Sequence, residues 1–269
     1  ISAREGRGDP ALQPDRHRGQ LRRRLVRHPR EHVRELARRE NVYCKLSGLV
    51  TEADWHHLWL SEGFATYLAA LWRAHADGDS AFRAGLERMA DAVFASEEVQ
   101  RPILGPAVTD LMGLLNSNNY QKGAWVLHQL RGVVGDSAFF SGLRRYYAAY
   151  RDSTALSSDF ARVMGEASGR DLDWYFRQAL TQPGYPMLDL KWKHKGKRLT
   201  IDVTQTQPAE WGTYRIPGLI LLVDQTPVRL QIEGRQSRQV VEGISRKPKA
   251  IEVDPNRWWL MKATVSGER

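Results

Sequence analysis

The sequence predicts a multidomain α and β protein, an antiparallel helical bundle followed by a small antiparallel β-sandwich, and three observations carry that expectation. Apolar residues recur at spacings of three and four from about residue 56 to 182, the period of helices with one buried face. TQPGYP, residues 181–186, then stops the chain with two prolines and a glycine that permits a sharp turn. Beyond it the apolar period changes to two, as half-buried strands require.

Taken in order, residues 1–30 show no sustained apolar period and are expected to be an Arg-rich, disordered leader. Residues 31–39 place Val33, Leu36 and Ala37 for a short helix, and Val42, Cys44 and Leu46 alternate as in a strand. Leu60, Phe64, Leu68 and Leu71 form one stripe on a helix over 57–74. Ser80 is placed to cap a helix carrying Phe82, Leu86, Met89 and Val93. The prolines of RPILGPAVTDL break the pattern, and a helix over 119–134 ends at Gly135. Asp136 then caps SAFFSGLRRYYAAY, Ser157 or Ser158 caps DFARVMGEA, Gly169 closes that helix, and Asp171 caps LDWYFRQAL. Connections this short make the helices an antiparallel bundle. In the last third Leu188, Leu190 and Trp192 alternate, then Leu199, Ile201 and Val203, on either side of a Lys-Gly-Lys turn, which is a hairpin signal. About four further strands complete a sandwich of roughly 80 residues. The expected divisions are 1–30, 31–55, 56–185 and 186–264.

The formal charge of +9 is unevenly spread: residues 1–40 hold twelve Arg against six acidic residues. No Phe, Tyr or Trp interleaves the basic residues of 1–42 to stack on bases, which argues against a nucleic-acid-binding arm. The single Cys44 excludes an intrachain disulfide and a multi-cysteine zinc site. No run approaches the ~18 apolar residues of a membrane span, and no apolar stretch follows the basic N-terminus as in a signal peptide, so a soluble chain is expected.

Chemistry centres on TEADWHHLWLSEGFATYLAALW, residues 51–72, where Glu62 is set among aromatic and aliphatic residues. A catalytic zinc usually has three protein ligands, two from a His-Glu-x-x-His helix and a third from a helix packed against it. Glu62, with Gly63 and Ala65 permitting close approach, suits that third role; a Glu near a helix start equally suits the helix dipole. Tyr120, whose phenol stays protonated at neutral pH, is a donor for a developing oxyanion or a core tyrosine at a helix start.

VTEADWHHLWLSEGFATYLAALW resembles the segment after the His-Glu-x-x-His helix in zinc aminopeptidases of the membrane-alanyl aminopeptidase type, whose catalytic domain is thermolysin-like. There the Glu of a Ser-Glu-Gly-Phe-Ala context is the third zinc ligand, which implies that role for Glu62. NNYQKGAWVLHQLR resembles the Tyr-x-Lys-Gly segment of the same family, implying that Tyr120 hydrogen-bonds the oxyanion. QPGYPMLDLKW and IEVDPNRWWLMK resemble the start and end of the sandwich that follows. The resemblance covers about residues 50–262 and implies zinc as cofactor, a peptide or protein substrate and peptide-bond hydrolysis.

One departure is large. The family pattern places its two histidines at positions 39 and 43, which here are Arg39 and Tyr43; only Glu40 matches, as general base. The Gly-x-Met-Glu-Asn segment that grips a substrate amino group is not found in the chain. Other histidines do not substitute by spacing: His56 and His57 are adjacent and diverge by about 100° on a helix, Pro29 separates His28 from His32, and His128 reads as structural. The chain as written is therefore expected to be inactive. Residues 31–55 also resemble a helix and strand of amidohydrolases of the lactone-hydrolase type, so this tract reads as a junction between unrelated sequences, by fusion, recombination or misassembly. Two other readings stand beside the peptidase one: a non-catalytic interaction module that exposes Trp59, Leu60 and Phe64, and a basic nucleic-acid binder acting through residues 1–40.

Overall fold

The computed structural model describes residues 50–105 and 111–267. The leader, the helix expected at 31–39, the strand expected at 42–46 and the position of Glu40 lie outside the described residues.

A strand β1, Val50–Glu52, opens the described chain and pairs in parallel with β2, Ser153–Ala155. Helices α1, Trp59–Asp77, and α2, Asp79–Ala95, follow. A π turn, Asn118–Lys122, runs directly into α3, Gly123–Val134. Helices α4, Asp136–Tyr150, α5, Ser157–Ser168, and α6, Asp173–Thr181, complete this half.

The α1 stripe lies where the spacing predicts. Leu60, Phe64, Leu68 and Leu71 are buried, together with Trp59 and Tyr67. Phe64, Tyr146 and Phe160 meet as an aromatic layer, with Phe160 edge-on to Phe64 at 5.1 Å and to Tyr146 at 5.0 Å. Each fully buried side chain of this size contributes on the order of 1.5–3 kcal/mol of transfer free energy. Trp59, Leu60 and Phe64 are 0%, 4% and 4% exposed, so the apolar face expected of an interaction module is inside the core.

The caps differ from expectation at three places, at two of them because a glycine links the helices. Gly78 at φ 87° and Gly135 at φ 83° each form a one-residue link between helices, a backbone conformation that side chains other than glycine's resist. Glycine thus stands where Ser80 and Asp136 were expected as caps, and both of those lie inside their helices. Ser157 likewise lies inside α5, where the Asp159 carboxylate accepts the Leu156 N–H at 2.9 Å. Asp171 does accept an orphan donor, the Asp173 N–H at 2.9 Å, and Gly169 ends α5 in the left-handed region.

The last third forms two sheets. Strand β3, Met187–Lys195, makes a hairpin with β4, Arg198–Gln205, through Gly196 at φ 64°. Strands β5, Ile216–Val223, β6, Thr226–Ile232, β7, Gln236–Glu242, β8, Ile251–Val253, and β9, Lys262–Gly267, complete them in the orders β7-β4-β3-β9 and β6-β5-β8. One sheet is mixed and not wholly antiparallel as expected, because β9 pairs in parallel with β3 from Met187↔Lys262 onward. Leu188, Leu190, Leu199, Ile201 and Val203 of the first sheet share one buried cluster with Ile216, Leu219, Leu221, Leu230 and Ile232 of the second.

His128 ties the two halves together. Its Nε2 lies 2.8 Å from the carbonyl of Arg257, which only accepts, so Nε2 carries the proton and Nδ1 accepts from the Tyr67 hydroxyl at 3.1 Å. The imidazole stacks on Trp258 with 4.8 Å between centroids. Asp254 shapes that turn, its carboxylate accepting the N–H groups of Trp258 at 3.0 Å and Trp259 at 2.7 Å. Burial holds the His128 pKa down to about 3. As pH falls below the ordinary histidine value of about 6.5, the unfolded chain takes up a proton that the folded chain refuses, so this contribution to stability is complete above that value and is lost toward pH 3. Urea unfolding at pH 7.0 and 5.0 is expected to show a loss about 2 kcal/mol larger for the unaltered chain than for His128→Gln.

Candidate active site

Glu62 lies in the first turn of α1 and Tyr120 in the π turn before α3, and two glycines bring those elements together. A Cβ on Gly63 would meet the Gly123 carbonyl carbon at 2.8 Å and its Cα at 3.0 Å; one on Gly123 would meet the Gly63 Cα at 3.1 Å. Main chain therefore rests on main chain, and the residues beside the glycines face each other across the contact.

The π turn is built by asparagines. Lys122 N–H donates to the Ser117 carbonyl, five residues back, at 2.8 Å. The Asn116 carboxamide oxygen accepts the N–H of Asn118 at 2.9 Å and of Asn119 at 3.3 Å, replacing main-chain acceptors that a regular helix would supply. Asn118 Nδ2 donates to the carbonyls of Glu98 at 2.6 Å and Arg101 at 3.0 Å, and Asn119 Nδ2 to Leu114 at 2.8 Å. Such turns are often found at functional positions.

Within this frame the Tyr120 phenol pKa is raised, first by desolvation and then by the nearby negative charge of Glu62. A phenol held above its ordinary value near 10 stays protonated across physiological pH, so Tyr120 keeps a proton to donate. The sequence offers both residues as candidates but gives no sign of the close approach of their two elements, and it does not announce the π turn. The run Asn116-Ser117-Asn118-Asn119 was the available signal for the turn.

The histidines have other work. His57 Nδ1 accepts from Ser157 Oγ–H at 2.7 Å and from Ser157 N–H at 3.1 Å, while Ser157 Oγ takes the Trp59 Nε1–H at 2.8 Å. Desolvation is the leading reason that the His57 pKa is lowered. His56 Nδ1 lies 2.6 Å from Asp54 Oδ1, and His128 is occupied as described. Ser61, next to Glu62, donates through its hydroxyl to the Glu52 carboxylate of β1. Among the described residues no three His, Cys, Asp or Glu side chains gather as a metal site. The described donor set therefore does not fit a catalytic zinc, which needs three protein ligands.

Residues 31–178 match the Peptidase family M1 domain, a match that includes the tract 31–55. An aminopeptidase N of Streptomyces lividans is 32% identical over 221 residues, which are 72% of this chain and 26% of that protein. A membrane alanyl aminopeptidase of Manduca sexta is 26% identical over 208 residues, 71% of this chain and 21% of that protein. The crystal structure of Legionella pneumophila aminopeptidase A in complex with aspartic acid superposes with a TM-score of 0.64 at 19% identity, covering 80% of this chain and 25% of that one. The chain spans about a quarter or less of the length of these relatives.

Two outcomes test the site as built. Gly63→Ala drives a methyl into the Gly123 main chain and is expected to cost about 1–3 kcal/mol in urea unfolding, whereas Gly85→Ala, within α2 and facing only the tip of Arg88 at 3.9 Å, is expected to stabilise by up to ~1 kcal/mol. In a pH titration of 13C-labelled tyrosine, the ring signal lost in Tyr120→Phe is expected to titrate above the ordinary range and to move down in Glu62→Gln.

Proposed function

The chain belongs to the M1 peptidase family, and from that premise we propose that it carries the Glu62 and Tyr120 portion of a thermolysin-like aminopeptidase catalytic domain, residues 56–185, followed by a β-sandwich over 186–264. The activity in which this portion takes part is hydrolysis of a peptide bond, with a peptide or protein as substrate. The observation that carries this reading is the Gly63–Gly123 main-chain contact, which sets the helical turn of Glu62 against the π turn of Tyr120 in a chain that matches the family over residues 31–178.

In amide hydrolysis the carbonyl oxygen gains negative charge as the carbon becomes tetrahedral. A neutral phenol fixed at that position donates to the oxygen without first having to reorganise, and fixed donors of this kind are worth about 10²–10³ in rate. Tyr120 is suited to it because burial and the adjacent negative charge both oppose ionisation. The Glu62 charge lies near the phenol, and the Gly63 to Gly123 contact sets the spacing of the two elements.

Zinc is the metal this family implies. Glu62 is the ligand the resemblance assigns, while Arg39 and Tyr43 occupy the two positions where the pattern has imidazoles. No step is derived through the metal, and the chain as written is proposed to be inactive. No helix among the described residues is long and apolar enough to cross a membrane.

Isothermal titration with zinc, paired with a peptide-amide hydrolysis assay with and without EDTA, tests the reading. The expected result is neither stoichiometric zinc uptake nor EDTA-sensitive turnover. Either one would overturn the proposal that the zinc site is incomplete.

A further inference from the structure

Lys122 follows Tyr120 by two residues and is 5% exposed. Among the described residues its Nζ has no hydrogen-bond partner, and of the six other unpaired buried side-chain atoms two, Trp125 Nε1 and Gln182 Oε1, belong to residues around the same cavity. All three residues line a single cavity of about 30 Å³, between α3, the end of α6 and the sheet region.

The other polar groups around the cavity are satisfied. Gln129 Oε1 accepts the Leu260 N–H at 2.7 Å, and Gln178 is engaged by the Arg215 main chain through both ends of its amide. The Tyr214 hydroxyl donates to the Pro183 carbonyl at 2.6 Å. The unmet demand is thus concentrated at one ammonium, one indole N–H and one amide oxygen, and no Asp or Glu lines the cavity to balance the charge. A buried ammonium without a counter-charge is costly, and it is relieved by losing its proton or by gaining an anion.

We propose that this cavity binds a small monovalent anion of halide size, held by Lys122 Nζ and Trp125 Nε1–H, with one water donating both to the anion and to Gln182 Oε1. The volume suits that pair of guests, since a water-sized guest needs about 10–15 Å³ of such space. Phosphate and sulfate fit poorly: they are larger, and they bring a double charge to a site with one cation. Desolvation alone pushes the Lys122 pKa down to about 7, so in the empty cavity the ammonium is already near deprotonation and an anion restores it. Because α3, the segment 182–186 and Trp259 all border the cavity, the bound anion ties the helices to the sheets.

The test uses the full 269-residue chain at fixed ionic strength and pH, replacing gluconate with bromide. The thermal midpoint is expected to rise saturably with bromide in the unaltered chain and not at all in Lys122→Met. Trp125→Phe, which keeps the charge and removes only the indole N–H, is expected to weaken the bromide dependence about tenfold. A flat response in the unaltered chain, or an unchanged response in Lys122→Met, would overturn the proposal. If Lys122→Met does not fold, crystals of the unaltered chain soaked in bromide decide: an anomalous peak in the cavity supports the site, and its absence at saturating bromide refutes it.

Discussion

The contact between Gly63 and Gly123 is the constraint on which the rest of this site depends. Helices usually keep 8–10 Å between their axes because side chains intervene. Here neither partner has a side chain, and the next atoms in line are main chain, so the spacing is set by a hard surface with no rotamer to relax. The flanking residues inherit that precision. Glu62 precedes one glycine and Lys122 the other, with Tyr120 in the same π turn, so a carboxylate and a phenol distant in sequence sit on elements in direct contact.

Helix α3 is held from both sides, which is why the contact is not free to slide. Its first residue sits on α1 through Gly123, and its middle is fixed to the sheet half through His128. Gly132, one turn further, has Trp258 so close that a Cβ would meet the ring at 2.8 Å. Gln129 adds a hydrogen bond to the Leu260 N–H. The sheet half therefore acts on the site without contributing a reacting group: it fixes the axial position of the helix that carries the phenol. A neutral, buried imidazole suits that task, because a charged one would have to be solvated or paired where it stacks on Trp258.

What was legible in the sequence follows from periodicity. The α1 stripe and the β3–β4 alternation were visible because burial imposes a repeat on the residue order. The caps at Gly78 and Gly135 were misread because serine and aspartate are the commoner devices, and only the one-residue spacing between helices calls for positive φ. β1 and β2 have three residues each, too few to show a period, and their pairing joins distant segments. The parallel addition of β9 is a matter of topology that a single strand's pattern does not encode. The π turn rests on carboxamide hydrogen bonds, which leave composition but no repeat. Glu62 and Tyr120 were found through a family resemblance alone; as lone polar residues, each reads equally well as ordinary.

Packing, not chemistry, holds the geometry of the two elements that carry Glu62 and Tyr120. The contact that aligns Glu62 with Tyr120 is made by glycines, and the layer behind it by Trp59, Phe64, Tyr146 and Phe160, none of which touches a metal. The exchange of imidazoles at positions 39 and 43, as proposed above, alters none of these buried contacts, so the frame does not depend on a metal for its packing. The close contact of the two elements is thus evidence of a sound scaffold. Competence to bind zinc is a separate property, and on the proposed reading it turns on residues 39 and 43.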